Sequence, residues 1–165
     1  MKPHTPVLVK EVIEGLNVRK GKNYVDATYG GGGHAKEIVE RGGIVLGIDA
    51  DPDTSAIHGN FRDIEKIAKE RGFGRVSGVL FDLGVSSVQL EDAKRGFSFT
   101  REGPLDMRMD PALGLTAADI VNNFEKRRLY EIFKNYGQEK FAGAIAGAIF
   151  RARELKPIET TAELA

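Results

Sequence analysis

The residues best suited to chemistry lie in one segment, 23–34, which reads N-Y-V-D-A-T-Y-G-G-G-G-H. Tyr24 and Val25 favour a short strand, Gly30 to Gly33 favour a turn, and the apolar spacing that follows predicts a helix. Strand, glycine turn and helix form the first half of a nucleotide-binding βα unit. The glycines would let a ligand approach the backbone, and the N–H groups at the helix start would attract an anion.

A second candidate ligand-binding position, Asp49, follows the apolar run G-I-V-L-G-I. An acid about 20 residues beyond a glycine loop, at the end of the next strand, is where ribose hydroxyls are usually held. The loop alone is weak evidence, whereas the loop together with Asp49 indicates a nucleoside-containing cofactor.

The residues between strand and glycines bear on which cofactor this is. A dinucleotide fingerprint places its glycines directly after the strand, but here Asp26 to Tyr29 intervene. The Asp26 carboxylate would repel a pyrophosphate and suit a ligand with an ammonium group. These features favour S-adenosylmethionine over a nicotinamide cofactor.

Composition sets limits on the other properties of the protein. The chain has 165 residues, which predicts one domain or one domain with part of a second. Lys+Arg and Asp+Glu both number 24, so net charge gives no sign of nucleic acid. Cysteine is absent, which excludes disulfides, thiolate metal sites and a cysteine nucleophile. With no apolar run of membrane length and no signal peptide, we expect a cytoplasmic protein without a membrane partner.

The pattern along the chain predicts an α/β fold followed by a helical part. Before the glycine loop, 6–16 is helical in pattern; after it, 61–72 reads as an amphipathic helix and 75–84 as a buried strand ending near Asp82. Further helices are predicted over 117–122, where Thr116 could cap, and over three later segments: 125–136, 138–154 and 160–165.

Two stretches do not fit a regular doubly wound sheet. Between Asp51 and His58 there are too few residues for a parallel crossover, which usually needs about 10–12 or more. Either the sheet is irregular here or a segment is missing, and a missing segment should show as a chain break between about Asp53 and Ile57. The second stretch, 84–110, is long and aperiodic, but its aromatic and apolar residues argue against disorder.

Several motifs resemble the bacterial S-adenosylmethionine-dependent 16S rRNA (cytosine N4)-methyltransferases of the MraW, or small-subunit methyltransferase H, family. D-L-G-V-S-S-V-Q-L from Asp82 and G-P-L-D-M-R-M-D from Gly103 are the most specific. The others are H-T-P-V-L at His4, D-A-T-Y-G-G-G-G-H at Asp26, G-I-D-A-D at Gly47, H-G-N-F at His58, R-G-F-S-F at Arg95 and Y-G-Q-E-K-F-A at Tyr136.

The resemblance implies a fold, a reaction and a substrate. The fold is a Rossmann-like S-adenosylmethionine-dependent methyltransferase sheet with an inserted helical subdomain. Residues 1–103 would be the N-terminal part of the methyltransferase domain, and 104–165 an incomplete substrate-recognition insertion. The reaction is methylation of N4 of a decoding-centre cytosine, cytosine-1402 of 16S rRNA. The partner would be 16S rRNA or the small ribosomal subunit, and a homodimer is left open. The family's chains continue beyond Ala165, so this chain resembles a fragment, and it is shorter after Asp51.

The resemblance also implies cofactor contacts. Gly32, Gly33 and His34 would line the methionine end, Asp49 the ribose and Phe61 the adenine, while Asp82 and Gln89 would close the site.

Chemistry adds two candidate sets. Cytosine N4 is a poor nucleophile, so a carboxylate that accepts its amino hydrogens would help, and Asp82 is the best-placed candidate catalytic residue. Asp82 could equally only bind cofactor or cap its turn.

RNA contacts are expected from a set of cations and aromatic rings in the long loop: Arg95, Phe97, Phe99, Arg101 and Arg108. The two phenylalanines could instead anchor the loop to the core. Asp106 and Asp110 could suggest a metal pair, but Arg108 between them favours internal ion pairing, so no metal is predicted.

Two other functions remain open from the residues alone. The first is a non-catalytic RNA-binding or ribosome-assembly module that keeps the fold. The second is a nicotinamide-dependent oxidoreductase, which Asp26 and the long loop after Asp82 disfavour.

Overall fold

The computed structural model describes residues 6–165, so His4 and its part of the H-T-P-V-L motif lie outside the described residues. The chain forms two compact units, which divide after Gly84. Among residues 6–165, no helix combines the length and the apolar character that a bilayer crossing requires.

The first unit alternates helices and strands, as the sequence pattern predicts. Its helices are α1 (Val9–Leu16), α2 (Gly33–Glu40) and α3 (Ile64–Glu70), the last preceded by a 3-10 turn over Phe61–Asp63. Its strands are β1 (Asn23–Asp26), β2 (Ile44–Asp49), β3 (Ile57–His58) and β4 (Gly78–Leu80). The predicted strand over 75–84 is thus shorter, because β4 pairs only with the short β1.

The four strands form a parallel sheet in the order β3-β2-β1-β4. Asp26 pairs with Gly47 on one side and Leu80 on the other, so the carboxyl ends of the strands lie at one edge. The prediction of an α/β, Rossmann-like sheet is confirmed, because parallel strands with helical crossovers give this architecture.

Both faces of the sheet are covered by apolar side chains. Tyr24 packs with Ile13 of α1 and Ile38 of α2 on one face. The next residue, Val25, packs with Ile48 and, from α3, Ala68 on the other. Successive residues of a strand point to opposite faces, which is why β1 is buried along most of its length.

The short connection from β2 to β3 makes the sheet irregular at this point. The chain is continuous through 51–57, so the expected chain break is absent. Thr54 N–H donates to the carbonyl of Asp51, and Ile57 pairs with Ile48. Because β3 has two residues and begins level with the end of β2, the chain need not travel back along the strand. The usual minimum crossover length therefore does not apply.

The second unit is helical. Its helices are α4 (Ser87–Glu91), α5 (Ala117–Asn123), α6 (Lys126–Asn135), α7 (Ala142–Leu155) and α8 (Thr161–Leu164), with a 3-10 turn over Ala93–Arg95. Thr116 caps α5 as predicted, since its hydroxyl accepts from Asp119 N–H. Leu129 of α6, Val121 of α5, and Ala146 and Ile149 of α7 form its core.

The long stretch after Gly84 is ordered and belongs with these helices. Thr161 N–H donates to the carbonyl of Gly103, and Thr161 Oγ1 donates to the carbonyl of Arg101. The compact units thus divide at Gly84, whereas the sequence placed the domain boundary between 103 and 104. The difference arises because partners distant in the chain, rather than local composition, tie 85–103 to the helical unit.

Candidate functional site

The glycine loop and the acid at the end of β2 are in direct contact. Gly30 N–H donates to Asp49 Oδ2 at 2.7 Å, and Asp51 N–H donates to Asp49 Oδ1 at 2.9 Å. Each carboxylate oxygen keeps a second lone pair, so Asp49 can still accept two hydroxyl groups. The two places that the sequence assigned to one nucleoside-containing ligand therefore adjoin at the carboxyl edge of the sheet.

The four glycines have different structural roles. Gly30 and Gly32 adopt positive φ angles of 50° and 74°, which glycine tolerates best. A Cβ on Gly33 would lie 2.2 Å from the Pro6 ring, so that glycine is required by packing. A Cβ on Gly31 would meet open space, which makes Gly31 the glycine whose backbone a ligand could approach.

Asp26 lies buried beneath the loop, with 1% of its surface exposed. Its carboxylate accepts from Thr28 N–H at 3.3 Å. Burial is the main cause that raises the pKa of Asp26, and the charges of Asp49 and Asp82 raise it further against the opposing effects of the Thr28 hydrogen bond and His34. The charges of Asp49 and Asp82 thus both act on Asp26 at this edge, which favours a cationic ligand group.

Asp82 is positioned by the end of β1. Its N–H donates to Thr28 Oγ1 at 2.7 Å, which links the segments that follow β1 and β4. Its side chain is 52% exposed, in contrast to that of Asp26. Of these two carboxylates, only Asp82 is accessible to a large substrate.

His34 is the second residue of α2 and is almost fully buried. Its Nε2 lies 2.8 Å from the carbonyl oxygen of Val7, and because a carbonyl can only accept, Nε2 carries a proton. Nδ1 then faces Asp82 Oδ2 at 3.9 Å. When His34 is neutral, its Nδ1 and Asp82 Oδ2 are both hydrogen-bond acceptors. A ligand group with two N–H donors would therefore satisfy both atoms.

An exposed aromatic pair lies at the ends of β3 and β4. Phe61 and Phe81 stack edge to face, with ring centroids 5.6 Å apart and an interplanar angle of 88°. They are 41% and 46% exposed, which leaves ring surface for a flat ligand group.

Gln89 lies in the second unit, 6% exposed. It closes a capping box with Ser86: Gln89 Oε1 accepts from Ser86 N–H, and Ser86 Oγ accepts from Gln89 N–H. Its Nε2 donates to Met109 Sδ at 3.3 Å. These contacts fix the side chain within its own unit.

Two of the cations predicted to contact RNA are held by the long loop itself. Arg95 donates to the carbonyls of Arg108 and Met109 and lies over the Phe97 ring. Arg108 pairs with both oxygens of Asp106 and donates to the carbonyls of Pro111 and Leu113. The predicted internal ion pair between Asp106 and Arg108 is therefore confirmed.

The aromatic residues of this loop differ in exposure. Phe97 is half-buried, whereas Phe99 is 80% exposed, and Arg101 is exposed beside it in sequence. Phe99 and Arg101 thus keep the accessibility that RNA contact needs.

Sequence reasoning missed three residues that shape the site. Thr28 positions Asp82, Phe81 supports Phe61, and Asp51 is buried with its carboxylate accepting from Asp53 N–H. The position of Phe81 directly before Asp82 at a strand end, and the D-x-D-x-D spacing from Asp49, were the available signals. The partner of Thr28 lies 54 residues away in the chain, so no local pattern could reveal it.

Comparison with curated proteins gives consistent relatives. The chain is 47% identical to a ribosomal RNA small subunit methyltransferase H of Carboxydothermus hydrogenoformans over 178 residues, covering 98% of this chain and 57% of that protein. It is 45% identical to one of Coxiella burnetii over 182 residues, with 99% and 59% covered, and 48% identical to one of Thermomicrobium roseum over 180 residues, with 98% and 55% covered.

Two facts follow from the lengths. The chain spans somewhat more than half the length of the curated relatives it matches. Each alignment is longer than the 165 residues of the chain, so within the aligned region each relative has residues with no counterpart here. This agrees with the alternative, raised by the sequence, that a segment is missing from this chain.

The family comparison covers the chain from end to end. The sequence model of the MraW methylase family matches residues 1–165, which include both the glycine loop and the helical unit. This protein therefore belongs to the MraW methylase family.

Proposed function

We propose that the protein takes part in S-adenosylmethionine-dependent methylation of small-subunit rRNA, at N4 of a decoding-centre cytosine, cytosine-1402 of 16S rRNA. The observation that carries the proposal is the 2.7 Å contact between Gly30 N–H and Asp49, which joins the glycine loop to the acid ending β2. The relatives' names support rRNA as the substrate. A cytoplasmic location is part of the proposal. A homodimer is left open, as in the sequence analysis.

The donor set of the first unit fits S-adenosylmethionine. Asp49 would hold the ribose hydroxyls and Phe61 the adenine, while Gly32, Gly33 and His34 would line the methionine end. The start of α2 offers backbone N–H groups to a carboxylate, and the acidic surroundings of Asp26 suit an ammonium group. When bound, this cofactor supplies a methyl group carried on a sulfonium. Gln89 remains proposed for the same site.

Asp82 is the residue we assign to the acceptor nucleotide. Its exposed carboxylate would accept a hydrogen bond from the exocyclic amine of cytosine and orient that nitrogen toward the methyl group. The same carboxylate could take the proton that the amine loses. His34, held by the carbonyl of Val7, keeps Nδ1 toward Asp82 and so positions a second acceptor there.

RNA contact would also involve the long loop of the second unit. Phe99 and Arg101 are exposed, so we assign them to stacking and to phosphate contact. Arg95, Phe97 and Arg108 would act mainly by holding the loop in shape, because their described contacts are within it.

The test is transfer of a labelled methyl group to small ribosomal subunits from a strain that lacks this modification, followed by mapping of the label. We expect label at N4 of one decoding-centre cytosine. Asp82→Asn should lower the transfer rate by about 10²-fold or more, as expected for loss of a general base. Glu70→Ala removes an exposed acid of α3 and should transfer normally.

Three results would contradict parts of the proposal. Label on another nucleotide would refute the target. A normal rate in Asp82→Asn would refute its catalytic role. Binding of the subunit with no methyl mark would favour the non-catalytic assembly module.

A further inference from the structure

Two cations from different helices converge over a glycine of α7. A Cβ built on Gly147 would lie 3.4 Å from Arg151 Nη1 and 3.6 Å from Lys126 Nζ. The two nitrogens are therefore at most about 7 Å apart, the two distances added. Like charges repel at this separation, and an anion between them would turn the repulsion into attraction.

Acidic side chains do not neutralise this pair. Segment 125–154 carries seven Lys or Arg and four Glu. Of these acids, Glu131 pairs with Arg127 and Arg128, and Glu139 accepts from the N–H of Phe141. The flanking Glu125 and Glu154 form no salt bridge among residues 6–165. Within residues 6–165, neither Lys126 nor Arg151 forms a salt bridge. Both side chains are exposed and can meet a ligand.

The helix surface beside them is open and carries an aromatic ring. Gly143, one turn before Gly147 on α7, would place a Cβ 3.9 Å from Tyr130 Cδ2, an ordinary contact distance. Tyr130 is one turn after Lys126 on α6 and is 39% exposed. Gly143 is exposed, so an extended chain could lie close to the α7 backbone there, whereas Gly147 is buried beneath the two cations.

We propose that this surface, formed by Lys126, Tyr130, Gly143 and Arg151, binds single-stranded RNA. Lys126 and Arg151 bind a backbone phosphate, or two successive ones, and Tyr130 stacks on a neighbouring base. Cations that follow the backbone together with an aromatic ring form the usual combination in single-strand recognition. The proposal rests on the proposed rRNA substrate and adds an RNA contact on the helical unit, separate from the loop around Phe99.

The test measures binding of a fluorescein-labelled single-stranded RNA of decoding-centre sequence by fluorescence anisotropy over a series of salt concentrations. For Lys126→Ala/Arg151→Ala we expect roughly tenfold weaker binding and a salt slope smaller by about 0.7 to 1.4, for one or two phosphates lost. Lys126→Arg/Arg151→Lys keeps both charges and should bind within about threefold of the parent protein. Tyr130→Ala should weaken binding at least about fivefold while leaving the salt slope unchanged.

The matched control removes two exposed lysines from the first unit, Lys10→Ala/Lys69→Ala, and has the same change in net charge. If that control loses as much affinity as Lys126→Ala/Arg151→Ala, the effect is one of overall charge and the proposal fails. It fails too if an acidic peptide such as polyglutamate displaces the RNA at equal charge. Should Lys126→Ala/Arg151→Ala unfold, the charge-exchange variant and Tyr130→Ala still decide the matter.

Cofactor binding separates this proposal from the proposed function. Calorimetry with S-adenosylmethionine should give the same affinity for Lys126→Ala/Arg151→Ala as for the parent protein. If the parent binds RNA through these residues but binds no cofactor, the methyltransferase assignment fails and the RNA surface stands. If it binds cofactor but shows no dependence on Lys126 and Arg151, the RNA surface alone is refuted.

Discussion

Replacing Asp49 tests the junction between the glycine loop and β2. Asp49→Ala removes two charge-assisted hydrogen bonds, at 2.7 Å to Gly30 N–H and 2.9 Å to Asp51 N–H. Because both donors are only partly buried, water can replace part of each bond, and we expect a net loss of about 2 kcal/mol in the free energy of unfolding. For a protein of this size that lowers Tm by roughly 4–8 °C.

The same change should weaken cofactor binding. If Asp49 accepts both ribose hydroxyls, their loss costs about 3 kcal/mol, or on the order of one hundredfold in Kd for S-adenosylmethionine. Asp49→Asn has one acceptor oxygen in place of two, so it should fall between Asp49→Ala and the parent in both measurements.

The assay combines thermal unfolding followed by circular dichroism with calorimetric titration, using Glu70→Ala as the control. A lower Tm with unchanged Kd would show that Asp49 only holds the loop, and the ribose assignment would be refuted. An unchanged Tm would refute the energetic reasoning about the two hydrogen bonds.

Two further predictions concern the ionisation of buried or paired acids. Burial raises the pKa of Asp26 in the folded state above its value in the unfolded state, so ionisation of Asp26 destabilises the folded state as pH rises from the unfolded pKa to the folded one. Asp26→Asn should therefore raise Tm at neutral pH by a few degrees. Thermal unfolding should show this gain disappearing as pH falls toward 4. Because hydrogen bonds from Arg108 lower the pKa of Asp106, their stabilisation is present above the unfolded value and lost as pH falls through the folded one. Arg108→Ala should lower the free energy of unfolding in urea at pH 7 and lower it less below about pH 4. An equal loss at both pH values would contradict this account.

The sequence by itself determined the parts of this protein that depend on local pattern. Alternating strand and helix periodicity predicted the parallel sheet, and the spacing from Gly30 to Asp49 predicted their common ligand edge, because the carboxyl ends of parallel strands meet there. Thr116 was predictable as a cap for the same local reason: its partner, Asp119, is three residues away.

Tertiary structure alone decided the features that depend on distant partners. The short β3 pairs at the end of β2, which makes the sheet irregular there. Arg95 and Arg108 are of the residue type that contacts RNA phosphates. In the structure, however, their guanidinium groups donate to backbone carbonyls of the loop.

The convergence of Lys126 and Arg151 over Gly147 belongs to the same class. Both are ordinary helix-surface cations in the sequence, and nothing in their spacing links α6 to α7. Which groups a side chain meets is set by how the helices pack, and that packing depends on the whole buried core rather than on neighbours along the chain.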